Sequence, residues 1–239
     1  MNDLVVGLIP DGHRRFSKVN NVDLEKSYSL GVRNIFDVGS FLFNSGKIKE
    51  LVVYFLSSEN LKRGKKELKL LWKLLRKYLD SVFSNKDSDL FSREETSFWK
   101  EKVKVCFVGR RTSVSKDVVD FMSDIEEKTC NNSDFVVTVA VGYGSKQELT
   151  DCFNRIRVGL DSGSLSHVDE GVISDNLDFK KDIDFVIRSG FNKRLSNFFC
   201  WQTSYADLFF LDKFWPDVSV DDFKKILSEI FLIQKTKGL

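Results

Sequence analysis

Two short segments of the chain together combine arginines with one acid, glycines and hydroxyls. One follows Pro10 and reads Asp-Gly-His-Arg-Arg-Phe, and the other occupies residues 188–198 and reads Arg-Ser-Gly-Phe-Asn-Lys-Arg-Leu-Ser-Asn-Phe. Arginine forks and backbone N–H groups bind phosphate, and Mg²⁺ is held in proteins by few carboxylates together with phosphate oxygens. Asp11, beside so much positive charge, is expected to stay ionised and able to hold such an ion. These residue types predict a phosphorylated ligand.

Six apolar, β-branched or aromatic runs predict the strands that position these segments. They cover residues 4–9, 51–56, 103–108, 135–141, 183–187 and 208–211. Most have the composition of strands buried on both faces. Segments of helical periodicity separate them, most clearly at 68–82 and also at 32–44. The alternation predicts a single α/β domain over residues 1–239, with a central, mostly parallel sheet flanked by helices.

The polar segments come directly after predicted strands. The Asp11 segment follows the run at 4–9, the sequence Ser-Ser-Glu-Asn-Leu-Lys-Arg follows 51–56, and the Arg188 segment follows 183–187. Ligands bind outside the carboxyl ends of the strands in open α/β sheets, so these side chains are expected to share one site. Each also has a structural alternative, because a lone aspartate after a strand can cap a helix and arginines can form surface ion pairs.

Two further features leave alternatives open. Residues 84–101 are polar and charged apart from a few aromatics, and are expected to form a solvent-exposed excursion or a helical extension. The helix at 68–82 carries lysines and arginines on the side opposite its apolar stripe. A solvated surface is the favoured interpretation of that basic side, and contact with a membrane surface is the alternative.

Composition and missing motifs exclude several classes of protein. The chain has 239 residues with 37 basic and 35 acidic side chains, so it lacks the net charge for non-specific nucleic-acid binding and no nucleic-acid partner is expected. No Walker A, G-x-G-x-x-G or G-x-S-x-G pattern is present. Two histidines and four cysteines without a C-x-x-C pair argue against zinc. The N-terminus lacks the pattern of a signal peptide, and a cytoplasmic location is expected.

Several motifs, in order along nearly the whole chain, resemble those of the cis-prenyltransferases, whose bacterial representative is undecaprenyl diphosphate synthase. The first motif of that family is similar to residues 9–16, and its Ser-x-Glu-Asn-x-x-Arg motif is similar to 57–63. The Tyr-Gly-Gly-Arg-x-Glu turn resembles 143–148. The last long motif resembles residues 188–207, with a closing Trp-Pro-Asp at 215–217.

The resemblance implies an undecaprenyl diphosphate synthase-like fold with a hydrophobic tunnel between the sheet and two helices. It also implies two substrates, an allylic diphosphate and isopentenyl diphosphate, with Mg²⁺ as cofactor. A homodimer and peripheral membrane contact for product release are expected. Asp11 would be the essential acid and a Mg²⁺ ligand, Asn60 would help to remove a proton from isopentenyl diphosphate, and Asp207 would be the second carboxylate of the metal site. The implied substrate-binding residues are Gly12, His13, Arg14, Arg15, Phe16, Tyr28, Ser57, Ser58, Glu59, Arg63, Arg188, Arg194 and Ser196.

The chain departs from the family pattern around the allylic diphosphate. His13 stands where the family has Asn, Tyr28 where it has His, and Leu24 where it has Arg. The C-terminal Arg-x-Gly of the family corresponds at best to residues 236–238, with Lys235 or Lys237 as substitutes. Irregular couplers of the lavandulyl type also lack the Asn of the first motif, so irregular coupling of dimethylallyl units, or transfer to another acceptor, is an alternative. A non-catalytic partner subunit is a further alternative, although such subunits typically lose the acid found here as Asp11.

Bulky residues on the expected tunnel walls predict a short-chain product. Phe55 occupies the strand position beneath Ser57, where larger side chains in the family accompany shorter products. Phe36, Phe41 and Phe43 lie on the helix expected to wall the tunnel. Side chains of this size would sterically block a growing hydrocarbon.

Overall fold

Six parallel strands form one sheet in the part of the chain that the computed structural model describes, residues 3–84 and 90–236, with side chains to 232. The strands are β1 (Leu4–Ile9), β2 (Ile48–Ser57), β3 (Val103–Val108), β4 (Phe135–Tyr143), β5 (Phe185–Arg188) and β6 (Asp207–Phe210). The helices are α1 (His13–Val19), α2 (Leu24–Asn44), α3 (Lys65–Phe83), α4 (Arg93–Lys102), α5 (Lys116–Thr129), α6 (Ser145–Asp161), α7 (Glu170–Asp175) and α8 (Val220–Thr236). Short 3₁₀ turns cover Glu59–Lys62, Arg111–Ser113 and Trp215–Asp217.

The strand order is β3-β4-β2-β1-β5-β6, and every pairing is parallel. All carboxyl ends therefore meet at the same edge of the sheet. The central strand β1 is buried along its whole length, as predicted, whereas β6 at the sheet edge is half-buried to exposed. The predicted α/β fold with a parallel sheet is confirmed.

Alternate residues of β1 face two different hydrophobic layers, as the two-residue period of a strand requires. Val6 and Leu8 belong to the larger core, which includes residues of α2, α3, α4, α5 and α8. Val5 and Ile9 belong to a smaller core with Phe198. Gly7 lets Phe198 approach, because a Cβ there would lie 2.7 Å from the ring. The two layers bury the sheet and hold its carboxyl edge rigid.

Helix α2 begins eight residues before the predicted segment at 32–44. Asp23 caps it by accepting a hydrogen bond from the Lys26 N–H at 2.6 Å, which satisfies one of the free donors of the first turn. The earlier start places Tyr28 on the buried side of the helix.

Of the two alternatives for residues 84–101, the helical one is found in the described part, and two of its aromatics are buried. Residues 92–102 contain α4, which begins at a capping box between Ser92 and Glu95. Phe91 and Trp99 are buried, at 8% and 3% exposure. These two aromatic side chains belong to the larger core, although most of the segment is polar and charged. Residues 85–89 lie outside the described residues.

None of the helices among the described residues has both the length and the apolar character needed to cross a bilayer.

Candidate active site

A cavity of about 870 Å³ opens at the carboxyl edge of the sheet. Loops after β1, β2 and β5 and the inner sides of α1 and α2 line it, so the three polar segments do converge. The predicted site residues that line it are Asp11, Gly12, His13, Arg14, Arg15, Tyr28, Phe55, Ser57, Glu59, Asn60, Arg63, Arg188 and Ser196.

Asp11 is held by its backbone on both sides. Its N–H donates to Ser189 Oγ at 3.1 Å, and its carbonyl accepts from Ser189 Oγ at 3.0 Å and from the Trp215 N–H at 3.0 Å. Gly12 then turns the chain into α1 with a φ of 108°, a conformation that side chains other than glycine rarely adopt. The carboxylate is thereby fixed at the cavity wall.

The Asp11 carboxylate is surrounded by donors. Its Oδ2 accepts from Arg188 Nη2 at 2.9 Å and Asn192 Nδ2 at 3.1 Å, and lies 3.3 Å from Arg15 Nη2. Burial alone would raise the pKa of Asp11, but these hydrogen bonds and the charges of both arginines hold it below 3.8. Asp11 is therefore ionised at neutral pH.

Arg188 is a buried cation, with only 4% of its side chain exposed. Its Nη1 donates to Ser196 Oγ at 2.7 Å and to the carbonyl of Arg194. Its Nε is buried and has no partner among the described residues. A buried donor without an acceptor is unfavourable, and an anionic ligand in the cavity is the kind of group that satisfies it.

A second arginine, Arg63, is held between helices α2 and α3. Its Nη1 donates to Tyr28 Oη at 3.0 Å and to Glu67 Oε1 at 3.2 Å, while Tyr28 donates to Glu67 at 2.7 Å. Burial and the Glu67 contact raise the pKa of Tyr28 well above 10, so the hydroxyl remains a donor. The three side chains link the cavity wall to the two helices behind it.

His13 is packed between α1 and α2. Its ring centroid lies 5.0 Å from that of Tyr28, its carbonyl accepts from Ser27 Oγ at 2.8 Å, and its imidazole fills the space beside Gly31. Burial lowers the pKa of His13 to about 4; the Asp11 charge opposes this shift and the Arg63 charge adds to it. The imidazole is neutral at pH 7, so it is a polar neighbour of the carboxylate and not a further cation.

Asn60 is placed by the turn after β2. Its N–H donates to Ser57 Oγ at 3.1 Å, and its carbonyl accepts from the Arg63 N–H at 3.0 Å. Glu59 beside it accepts from Asn197 Nδ2 at 3.0 Å. The Glu59 contact thus connects this turn to the loop after β5. Asn60 lines the same cavity as Asp11.

Beneath the polar cavity lies a much smaller apolar one, of about 40 Å³. Val32, Ile35 and Phe55 line both. The apolar cavity is closed by aromatic and aliphatic side chains from α2, α3, α4 and the sheet, including Phe36, Leu75, Tyr78, Leu79 and Trp99. A ligand with a diphosphate head and a hydrocarbon tail would have its head among the cations and its tail in this direction.

The family model described as putative undecaprenyl diphosphate synthase matches residues 9–237. The chain belongs to this family. A tritrans,polycis-undecaprenyl-diphosphate synthase (geranylgeranyl-diphosphate specific) of Pyrobaculum aerophilum is 32% identical over 237 residues, which are 98% of this chain and 94% of that protein. An isoprenyl transferase of Helicobacter pylori is 33% identical over 233 residues, 95% of this chain and 92% of that protein.

Two solved structures of the family share the fold. Lavandulyl diphosphate synthase from Lavandula x intermedia, in complex with dimethylallyl diphosphate, matches with a TM-score of 0.81 and 26% identity over 94% of this chain and 93% of that one. A probable undecaprenyl diphosphate synthase from Campylobacter jejuni matches with a TM-score of 0.74 and 26% identity over 96% and 95%. The resemblance read from the motifs is confirmed, and the chain is an enzyme of the cis-prenyl diphosphate synthase type.

Some residues predicted for the site lie elsewhere. Asp207 begins β6 and pairs with Phe185, three residues before Arg188, which places it about 10 Å back along the sheet from the carboxyl edge. Within one protomer it is not a second carboxylate beside Asp11.

Phe41 and Phe43 do not line the apolar cavity, contrary to the tunnel prediction. Phe43 is buried against Phe135, with ring centroids 4.6 Å apart, and Phe41 packs half-buried on the larger core. Phe36 and Phe55 do line it. The helical period accounts for Phe41, which lies about 140° around α2 from Phe36. Phe43 is on the same side of α2 as Phe36 but about 10 Å farther along the helix.

Three other predicted residues support the site without lining the main cavity. Phe16 is buried in α1, Ser58 donates its N–H to the Tyr143 carbonyl at 2.7 Å, and the Arg194 side chain donates to Ser196 at 3.3 Å from the exposed side. The residues that correspond to the C-terminal motif of the family lie mostly outside the described residues. These exclude the side chain of Lys235 and all of Lys237 and Gly238.

Lys146, Lys18 and Asn197 line the cavity and were not predicted as site residues. A signal for Lys146 existed, because it stands where the family turn has arginine. Asn197 lies in the Arg188 segment, and its Oδ1 accepts from the Lys146 N–H at 2.9 Å. Lys18, one turn of α1 beyond Arg14, could have been found from its helical spacing.

The family implies Mg²⁺, and the residues around Asp11 fit it. Among the described residues the hydrogen bonds to this carboxylate fall on Oδ2, so Oδ1 remains available to an ion. No cluster of three or more His, Cys, Asp or Glu side chains that could hold a metal occurs in the described ranges. An ion here would take one carboxylate and its other ligands from diphosphate and water, which is the arrangement that Mg²⁺ favours.

Proposed function

We propose that the protein condenses isopentenyl diphosphate with an allylic diphosphate, giving a short-chain Z-prenyl diphosphate and free diphosphate. The main observation in support of this proposal is that a polar cavity and an apolar cavity adjoin each other. A polar cavity with a buried Arg188 and an ionised Asp11 adjoins an apolar one, and Val32, Ile35 and Phe55 line both. That junction suits a substrate with a doubly charged head and a hydrocarbon tail.

The first chemical step breaks the C–O bond between the allylic carbon and its diphosphate. Negative charge grows on the leaving oxygens, and cations held in place before the reaction stabilise that charge without reorganising. Arg14 and Arg15 follow Asp11 on α1 and would bind this diphosphate, together with the Gly12 backbone. Mg²⁺ held by Asp11 supplies further charge neutralisation when bound.

The second step forms a bond between the allylic carbon and the terminal alkene carbon of isopentenyl diphosphate, and the proton then lost from C2 of that unit would pass to the released diphosphate. Arg188, Arg194 and Ser196 would hold the isopentenyl diphosphate head, with Ser57 and Arg63 beside it. Asn60 carries a neutral amide, which has no useful acid–base chemistry near pH 7. Its contribution to proton removal is therefore to orient the substrate, and the turn after β2 fixes it for that purpose.

The proposed product is short because the apolar cavity is small. Its volume of about 40 Å³ is well below the roughly 300–1,000 Å³ of typical ligand pockets. Trp99 closes its far side. The ring packs against Gly39, where a Cβ would lie 2.9 Å from it, and its Nε1–H donates to Ser40 Oγ at 2.9 Å. A growing chain would have to displace this anchored side chain.

The test is an assay of the purified protein with Mg²⁺, isopentenyl diphosphate and, in turn, dimethylallyl, geranyl or farnesyl diphosphate. Short Z-prenyl products are expected, sized by mass spectrometry. Asp11→Ala should lower kcat by at least about 10²-fold, because it removes the metal ligand and leaves Arg188 buried without its carboxylate. A long polyprenyl product would refute the proposed chain length, and an active Asp11→Ala enzyme would refute the mechanism.

A second candidate function is irregular coupling of two dimethylallyl units. The observations in its favour are His13 in the allylic site and the TM-score of 0.81 to a lavandulyl diphosphate synthase that binds dimethylallyl diphosphate. Product formation from dimethylallyl diphosphate alone would support this candidate. Strict dependence on isopentenyl diphosphate would exclude it.

We also propose that the protein is a homodimer that uses the sheet edge at β6. As an edge strand, β6 has one side without a neighbouring strand in the described chain. Leu208 on this strand is 44% exposed, and Tyr205, in the turn before the strand, is 93% exposed. Exposed apolar side chains at an open sheet edge favour association with a second copy.

A further inference from the structure

The outer face of α3 carries the most concentrated positive charge on any described helix. Lys66, Lys69, Lys73 and Lys77 follow one another at intervals of three or four residues, so they lie along one side of the helix over about 17 Å. Lys62, Lys65 and Arg76 extend the same surface, and all seven side chains are exposed. We call these seven residues the basic stripe.

Most of this charge is not neutralised within the protein. Lys73 pairs with Glu25 at 2.8 Å, and Arg76 donates to the Asp117 carbonyl at 3.1 Å. The other five residues of the stripe form no ion pair with the part of the chain that the structure describes. One of the two acids of α3, Glu67, is turned inward to Tyr28 and Arg63.

By contrast, three lysines on α5 and α8 are paired with acids. Lys116 pairs with Asp120, Lys128 with Asp124 and Lys224 with Asp221, each on its own helix. The whole chain has a net charge of only +2. The stripe is therefore a local excess of cations and not a sample of a generally basic surface.

The other side of α3 is the wall of the hydrocarbon site. Leu75, Tyr78 and Leu79 line the apolar cavity, and Leu71 lines the polar one. One helix thus has its apolar side on the cavity and its cations in solvent. Because the apolar side is occupied by the core, only the cations are available to a partner.

We propose that the basic stripe docks the protein on a bilayer surface that contains anionic lipids, with α3 lying along the surface. The argument for this partner is charge complementarity. Clusters of four to eight Lys or Arg on a helix bind anionic membrane surfaces, and each cation raises the affinity about fivefold. Nearly all the cations are lysines, which are point charges without the fork that reads nucleic-acid bases. The proposal rests on this charge and not on the proposed prenyl transfer.

The experiment is sedimentation of the full-length protein with vesicles of phosphatidylcholine and phosphatidylserine, against vesicles of phosphatidylcholine alone. One variant replaces Lys65, Lys66, Lys69 and Lys77 by Gln. The matched control replaces Lys116, Lys128, Lys224 and Lys225 by Gln, the same loss of charge at exposed sites. Circular dichroism and thermal melting check that both fold.

The stripe variant should lose about 100-fold or more in affinity for the anionic vesicles, and the control should bind like the wild type. Raising salt to roughly 0.5 M should release the wild type, because the charges are exposed and screened. Equal binding to neutral vesicles, equal losses in both variants, or tighter binding to a duplex DNA oligomer would overturn the proposal. The proposal would also be overturned if the stripe variant bound vesicles like the wild type but had a lower kcat/KM in assays without vesicles. The lysines would then serve to attract anionic substrates. Vesicle binding needs no turnover, so its failure is distinguishable from failure of the proposed function.

Discussion

His13 is the residue whose chemistry most separates this site from the family pattern. Its neutral state in the folded protein means that the unfolded chain binds a proton near pH 6.5 that the folded chain does not bind until about pH 4. The unfolded state therefore binds more protons between these values, and folding stability falls as pH falls through this window.

We expect the wild type to lose up to about 3 kcal/mol of unfolding free energy between pH 7 and pH 4 relative to His13→Asn, which lacks the titrating group. Urea denaturation of both proteins across this range measures the difference. The two curves should be parallel above pH 7. Parallel curves over the whole range would show that folding does not lower the pKa of His13.

Phe55 and Phe41 form a natural pair for testing the control of product length. Both are half-buried phenylalanines, but only Phe55 lines the two cavities. Phe55→Ala should lengthen the product, because it widens the passage between the diphosphate site and the apolar cavity. Phe41→Ala should leave product length unchanged, as judged by mass spectrometry of products. Identical product profiles for the two variants would contradict the role given to Phe55.

At the scale of elements, Glu67 of α3 and Glu25 of α2 each form an ion pair, in different environments. Glu67 and Arg63 meet beside the cavity, with 15% and 24% of their side chains exposed, whereas Glu25 and Lys73 meet in solvent, at 51% and 63%. Only the first contains a residue that lines the cavity. Arg63 can hold a diphosphate in one position because Glu67 and Tyr28 hold its guanidinium.

Glu67→Gln should raise KM for the diphosphate substrate about tenfold with little change in stability, because a charged partner of Arg63 becomes neutral. Glu25→Gln makes the same chemical change in an exposed pair and should have no measurable effect. Steady-state kinetics of both variants, with thermal melting, provide the comparison. A KM change in neither variant, or in both, would rule out this role for Glu67.

The strands could be predicted from sequence and part of the helical layer could not. Each of the six apolar runs falls on an observed strand, since a buried parallel strand must be apolar throughout. A helix was one of two alternatives for the α4 segment, but its burial could not be predicted, because that burial depends on Phe91 and Trp99 contacting Phe36 of α2. The convergence of the three polar segments was predictable because parallel strands bring their carboxyl ends together. Asp207 directly precedes the predicted run at 208–211, so its place at the start of β6 agrees with the sequence, and only the family resemblance put it in the metal site.

At the scale of the whole molecule, the open edge at β6 sets the expected assembly. Leu208→Asp places a charge on that edge and should convert a dimer to a monomer in sedimentation equilibrium. Leu232→Asp is the matched control, because Leu232 is 63% exposed on α8, away from the strand, and should leave the dimer intact. A monomeric wild type, or a dimer that survives Leu208→Asp, would refute the proposed interface.

The pairing of β1 with β5 has a consequence for how the protein is made. Asp11 belongs to the first strand-loop unit and Arg188, its ion-pair partner, is the 188th of 239 residues. Trp215, which holds the Asp11 carbonyl, comes later still. A ribosome must therefore synthesise most of the chain before the central strand can gain its second neighbour. Contacts so distant in sequence form slowly, so the nascent N-terminal half must wait with an uncovered strand edge, and it is there that a molecular chaperone would be needed.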